Sequence, residues 1–600
     1  MNQETKQCQN CKKDFIIEPD DFRFYEKIKV PPPTFCPECR LERRLVNIVG
    51  LNLHKDECDN CGKKMVSLFA PKMPHTVYCS SCWWGDSWEG VQYGRDYDFS
   101  KAFFEQFHEL RKVVPCQATN IKNSTDCKFS NGISRCKNCT SIDNGIQSIN
   151  CFYCQTVIFS KDSMDSAFIL NADHVYENVN SGGLYNTKFV YFLDGCLDCS
   201  FMFNCVGCSN CFGCVNLRKQ KYCIFNKQYT KEEYNREMEK WDLGSYKNIQ
   251  RAQKEFMKLY LRTPRKFSLI LNSTNVSGDD IQNVKNCHMC FSATHGVENC
   301  KFIFHGGLLL KDSYDMTLGG DRSELLYQAT GVTGCQRSKF IMSCIDSIDL
   351  EYSENLHSCS NCFGCSKLRH KKYCILNKQY SKEEYEKLIP KIKKHMNDMP
   401  YIDAKGRVFK YGDYFPVEHA MWAYNESWGQ LWFPLTKEEA FKKGFYWNDP
   451  EERDYKITIK SEDLPDHIDD VPDSILDEII SCEHTSWRAN NTHEVNCNDN
   501  CSTAFRILPN ELTLYRSMKV ALPRLCPNCR CSQRMSKINS PKLYSRKCIC
   551  DGLESNNKEY KNTIKHFHGN EPCSNEFKTA ISDERKEIVY CKECYQAEFL

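Results

Sequence analysis

Cysteine pairs separated by two intervening residues recur along this chain, and their spacing points to metal chemistry. Cys8 and Cys11 in CQNCKKDF, followed by Cys36 and Cys39 in FCPECRLERR, supply four thiols suited to a closed tetrahedral site. Cys58, Cys61, Cys79 and Cys82 form a second set. The frame returns ungapped near the other end as Cys501, Cys526, Cys529 and Cys548, with Tyr25, Lys29, Pro37 and Arg44 matched by Tyr515, Lys519, Pro527 and Arg534. In another register Cys61, Cys79 and Cys82 meet Cys573, Cys591 and Cys594. These sets imply about four structural zinc ions, in sequential tetrads or interleaved in the cross-brace manner; sequential pairing is favoured because each half already carries four ligands around a short hairpin.

The C-terminal copy departs from the pattern. Cys8 falls against Asn498, so Cys497 is read as the fourth ligand of the Cys501 site, with Cys482 or His484 as substitutes. An insertion carrying Cys550, His566 and His568 separates Cys548 from Cys573. Cys550 is a possible substitute ligand, and the histidines read better as solvated loop residues.

Around the first knuckles, FIIEPDDFRFYEKIKV alternates apolar and polar residues about a Pro-Asp-Asp turn, which predicts a β-hairpin. CRLERRL, entered through Pro37, predicts a short helix whose first turn carries a ligand. On Cys8, Cys11, Phe15, Phe24, Tyr25, Cys36, Cys39 and Arg40 the segment resembles the zinc-binding treble-clef domain family. The resemblance covers some forty residues at each end and implies a metal site and a fold, not an activity. Through FPLTKEEAFKKGFYW, CPNCR and EIVYCKECY the whole chain also resembles uncharacterised multi-cysteine zinc proteins of uncultured bacteria.

A chain of 600 residues exceeds what one core usually organises, which predicts several domains. The formal charge of +2 offers no global field for nucleic acid or an anionic membrane, so any such binding must be local. No apolar signal core or long apolar span is evident, and a cytoplasmic protein with no membrane role is expected. A reducing compartment leaves the 41 cysteines available for metal in preference to disulfides.

A second duplication lies between the zinc modules. CSNCFGCVNLRKQKYCIFNKQYTKEEY from Cys208 recurs as CSNCFGCSKLRHKKYCILNKQYSKEEY from Cys359, and KDSMD at Lys161 as KDSYD at Lys311. Short polar-then-apolar motifs every ten to thirteen positions predict stacked coils of a β-solenoid. Each copy ends in a capping box, Thr230 to Glu233 and Ser381 to Glu384. Asn226–Gln228 and Asn377–Gln379 read as the turn into that helix. Cys205, Cys208, Cys211 and Cys214 could be core residues, a further zinc site or an iron–sulfur set. In the second copy Cys196, Cys199 and Cys205 become Ser347, Leu350 and Leu356, which favours the core.

The expected architecture is a multidomain, β-rich α+β protein: a tandem zinc module over 1–115, solenoid-like repeats over 116–245 and 246–397, an aromatic α+β segment with an acidic linker over 398–480, and a second zinc module over 481–600. Ser100 is expected to cap a helix with Phe103, Phe104, Phe107 and Leu110 on one face. LTKEEAFKKGF predicts another capped helix ended by Gly444, and SEDLPDHIDDVPDS a linker. No nucleophile–base pair, phosphate loop or paired-carboxylate motif stands out, so a binding role is expected in preference to an enzyme. Arg40, Arg43 and Arg44, with Arg524, Arg530 and Arg534 in the twin, could grip RNA or DNA phosphate beside stacking Tyr25 and Tyr515. The alternative is a protein-binding scaffold in which zinc modules cap the coil ends.

Overall fold

Every third residue from Asn123 to Phe225 has a positive φ, and the same rule holds from Arg322 to Leu376. Each such residue bends the chain, and four bends complete a rung of 12 residues, the offset at which parallel strands pair. Lys161 pairs with Asp173, Tyr185 with Leu197, and Ser209 with Lys221. Rungs in the second copy are one residue longer between His288, Lys301, Tyr314 and Tyr327, then return to 12 at Lys339 and Glu351. Left-handed backbone is costly for most side chains and least so for Asn, Asp and Gly. The corners use this: Asn138 Nδ2 donates to Asn150 Oδ1 at 2.7 Å, and Asn150 Nδ2 to Asp162 Oδ1 at 2.7 Å, stacking one bend on the next.

The stacks explain the central cysteines. One residue in each triplet points inward, and Cys, Ser, Val, Ile and Leu fill most of these positions. Cys208 N–H donates to Cys196 Sγ at 3.4 Å, and Cys359 N–H to Ser347 Oγ at 3.1 Å, the same bond in the two copies. Cys196 Sγ in turn donates to Asp194 O, as Ser347 Oγ does to Ile345 O. A buried N–H left without an acceptor costs about 1–3 kcal/mol, so the inward side chain both packs and satisfies the backbone. Cys196→Ser is therefore expected to stay within about 0.5 kcal/mol of the parent, while Cys196→Ala loses about 1–2 kcal/mol. Denaturant midpoints of the two variants check this, and equal losses would count against the assigned bond.

The computed structural model describes all residues except 1, 51, 72, 450–454, 485–500 and 600. They form two compact units, each drawn from separate stretches of chain. Unit 1 joins 1–119 to 268–448 and 540–543, so the N-terminal cysteine module packs with the second stack. Unit 2 joins 120–267 to 449–539 and 544–600, so the C-terminal module packs with the first. The stacks are sheets of 11 and 10 strands among the described residues, each closed by an antiparallel strand. That closure is the role of the Asn-Lys-Gln repeat. Asn377 Oδ1 accepts from Ser366 N–H while its Nδ2 donates to Ser366 O, and Asn226 treats Val215 in the same way. The last rung is thereby sealed before the capped helices Lys231–Met238 and Lys382–Asp398. No described helix is long and apolar enough to cross a membrane.

Several local expectations are corrected. The segment after Glu18 is a helix, Pro19–Lys27, with Asp20 and Asp21 in its first turn, and its twin is Pro509–Met518. Proline at the first helical position followed by acidic residues is a helix start, and that signal outweighs the apparent alternation. The N-terminal hairpin instead pairs Glu4–Gln7 with Asp14–Ile17 around the first knuckle. Helix Phe103–Val113 is capped at Ala102, not Ser100, although Phe103, Phe104, Phe107 and Leu110 are buried as expected. A 17-residue helix, Tyr246–Arg262, has no counterpart among the expected elements; Ser245 caps it and Ile249, Ala252 and Phe256 line its buried face. The acidic segment is no free linker: Leu464, Ile468, Val471 and Ile475 are buried, and Ser245 Oγ donates to Asp466 at 2.6 Å.

Candidate metal centres

Each terminal module brings its thiols together by one repeated device. In the N-terminal module a tight knuckle presents the first pair, whereas the C-terminal module brings its first pairs, Cys482 with Cys501 and Cys548 with Cys573, from separate stretches; a helix start presents the second pair: Cys36 caps Pro37–Leu45, Cys79 caps Ser80–Trp84, and Cys526 caps Pro527–Met535. The N–H of this capping cysteine donates to the first thiol of the site. Cys36 donates to Cys8, Cys79 to Cys58 and Cys526 to Cys482, each at 3.2 Å, and Cys591 to Cys548 likewise at 3.2 Å. Helix N-termini and N–H donors stabilise thiolate over thiol, the form that binds metal.

The resulting groups are Cys8, Cys11, Cys36, Cys39; Cys58, Cys61, Cys79, Cys82; Cys482, Cys501, Cys526, Cys529; and Cys548, Cys573, Cys591, Cys594. In each, the sulfurs lie within 4.8 Å of one another. Sulfurs held tetrahedrally at zinc-like bond lengths stand about 3.8 Å apart. Here Cys11–Cys36 is 3.7 Å, Cys482–Cys529 3.8 Å, and Cys61–Cys79, Cys501–Cys526 and Cys573–Cys591 are each 3.9 Å. These gaps are too long for a disulfide, and no described cysteine is in one. The donor sets fit a metal ion. Within the sites, contact with Cys36 holds the Cys8 thiol well below its ordinary range, and contact with Cys482 pulls Cys526 down to about 6.

Cys497 lies outside the described residues. The thiol that completes the Cys501 group is Cys482, whose N–H is fixed by Thr503 O at 2.8 Å; His484 is buried two residues further on. Cys550, His566 and His568 are not solvated loop residues as the sequence suggests. With Cys594 they form a further group whose donor atoms also lie within 4.8 Å of one another, and His566 is buried.

The arginines are placed otherwise than expected. Arg40, Arg43, Arg44, Arg530 and Arg534 are all buried, at most 3 % exposed. In unit 1 Arg40 Nε and Arg44 Nη1 donate to the two oxygens of Asp315, each at 2.9 Å, and Arg44 Nε reaches Thr317 Oγ1. In unit 2 Arg530 Nε and Arg534 Nη1 lie 2.9 Å from the two oxygens of Asp165. Arg43 lies 3.7 Å over the Phe35 ring, and Arg524 donates to the carbonyls of Leu464 and Pro465. Tyr25 and Tyr515, the expected base platforms, pack edge-on against Tyr327 and Tyr176. Asp165 and Asp315 end the repeated KDSMD and KDSYD motifs, so each repeated module docks onto a repeated stack through a carboxylate gripped by two arginines, joined in unit 2 by Glu177, 3.2 Å from Arg534.

No protein-family model and no curated protein matches this chain. Among solved structures, one crystal structure of a "putative acetyltransferase from Desulfovibrio desulfuricans G20" aligns at 11% identity and a TM-score of 0.08, over 38% of this chain and 66% of its own. A superposition at that score carries no argument about fold or activity.

Proposed function

We propose that the protein is a non-enzymatic, zinc-stabilised scaffold: two β-solenoids, each clamped by treble-clef modules, whose outer faces receive a protein partner. The observation that carries this reading is the burial of the arginine pairs on Asp315 and Asp165. The helix faces that could have gripped phosphate are occupied by packing, which leaves the rung faces as the accessible repeated surface. All-thiolate tetrads support zinc as the ion and a structural use for it, since a closed tetrad leaves no coordination position for substrate. On the first stack, Tyr185 and Leu197 are paired neighbours and stay exposed, in one column with Ser209 and Lys221. Exposed apolar side chains repeated along a solenoid face suit an extended polypeptide.

The test is affinity capture from nuclease-treated lysate, followed by measurement of the identified partner's affinity for Tyr185→Ser and Leu197→Ser. Both should weaken it about tenfold or more. Nucleic-acid binding by the wild type with a steep salt dependence, and no partner surviving nuclease, would overturn the scaffold reading.

A further inference from the structure

The last cysteine module carries more donors than one ion can use. The geometry points to a two-metal cluster there, bridged by Cys594: one ion held by Cys548, Cys573, Cys591 and Cys594, the second by Cys550, His566, His568 and Cys594. This rests on the metal-binding reading above and adds an ion that the four tetrads do not include.

Both histidines are oriented for it. His568 Nδ1 lies 2.6 Å from Glu571 O, and a carbonyl only accepts, so the proton sits on Nδ1. The Nε2 lone pair then faces Cys594 Sγ at 3.3 Å. His566 Nε2 lies 3.0 Å from the Glu598 carboxylate, and both side chains are fully buried. The proton is held there, and Nδ1 faces Cys550 Sγ at 3.7 Å. A ring nitrogen fixed by a carboxylate or carbonyl while its partner faces inward is the arrangement of metal-bound histidine. Glu598 is itself held by Tyr560 and by the N–H and hydroxyl of Thr563, so the second shell is built. Around a tetrahedral zinc, sulfur and nitrogen ligands stand about 3.5 Å apart, between the two separations seen here.

Cys594 belongs to both groups, and a thiolate has the lone pairs to bridge two ions. Sharing it leaves five thiolates around two divalent ions, a smaller excess of negative charge than two separate tetrathiolates would bury. The ligand class is a borderline-soft divalent ion that accepts tetrahedral sulfur and nitrogen donors, with zinc foremost. The N-terminal twin has no such insertion between Cys58 and Cys61.

The test uses the full chain loaded with zinc and desalted, with metal counted per chain by native mass spectrometry. His568→Ala and His566→Ala should each bind one ion fewer than the wild type, with the other sites retained. An unchanged count in both variants would overturn the proposal. A loss of several ions at once would instead indict the variant's folding, and the wild type then decides. In protein loaded with cadmium-113, a bridging sulfur splits two metal resonances by mutual coupling, and the absence of coupled resonances would also overturn it. Failure of the tetrads themselves reads differently, as a wild-type count below four.

Discussion

Stripping metal from the intact chain with a high-affinity chelator is expected to abolish the cooperative unfolding transition of both units. With zinc as the proposed ion, each tetrad contributes on the order of 10 kcal/mol, comparable to the whole net stability of a typical domain. The loss would not stay local. In unit 1 the module around Cys8 contributes Phe15, Phe22, Phe24, Tyr25 and Phe35 to the same core as Tyr327, Phe340, Tyr352 and Phe363 of the stack. Releasing the thiols frees the knuckle and the helix start that aim those side chains. Calorimetry of the metal-loaded and chelated chain checks this, and superimposable transitions would refute a structural role for the sites.

The second large effect concerns one carboxylate per unit. Asp315→Ala should destabilise unit 1 by about 3–5 kcal/mol, because truncation strands two buried guanidinium groups, whereas Asp165→Ala should cost unit 2 less, because Arg534 keeps Glu177 at 3.2 Å and Arg530 keeps Glu511 at 3.7 Å. Asp315 and Asp165 are themselves fully buried, so water cannot replace them without opening the interface. Replacing Arg40, Arg44 and Asp315 together by Met, Met and Leu should cost far less than the single Asp315→Ala change. Hydrogen exchange read by mass spectrometry should show lost protection confined to the unit that carries the change. Uniform loss, or none, would show that the carboxylate does not anchor its module.

The thiol groups that could hold metal were largely legible because a knuckle is local: Cys8 with Cys11 and Cys36 with Cys39 need only a turn and a helix start. Cys482 was not. It reaches its site through the pairing of Ile480–Ser481 with Ala504–Phe505, and no short spacing reports that contact. Repetition of the centre was visible in KDSMD and KDSYD, but the use of their final Asp was not, since Arg44 lies 271 residues from Asp315. The triplet rule was hidden as well. Asn and Asp mark many of the corners, yet Phe129, Phe159, Phe189 and Lys219 sit in the same left-handed conformation. Stacking against neighbouring rungs overrides local preference there: the corner ring of Phe189 stacks on that of Phe201 at 4.6 Å. The arginines misled for a related reason, since a basic helix start looks alike whether it meets phosphate or a buried carboxylate.

The interleaved assignment of chain segments to units sets the order in which the protein can be completed during synthesis. Arg40 leaves the ribosome long before Asp315, and Asp165 precedes Arg534 by 369 residues. The N-terminal module must wait for the second stack, and the first stack must wait for the C-terminal module. Such long-range closure makes folding slow and leaves incomplete chains exposed to chaperones and proteases. A chain halted near residue 450 would own all of unit 1 except its 540–543 segment and one uncovered stack, so unit 2 cannot close until the C-terminal cysteine module has been made.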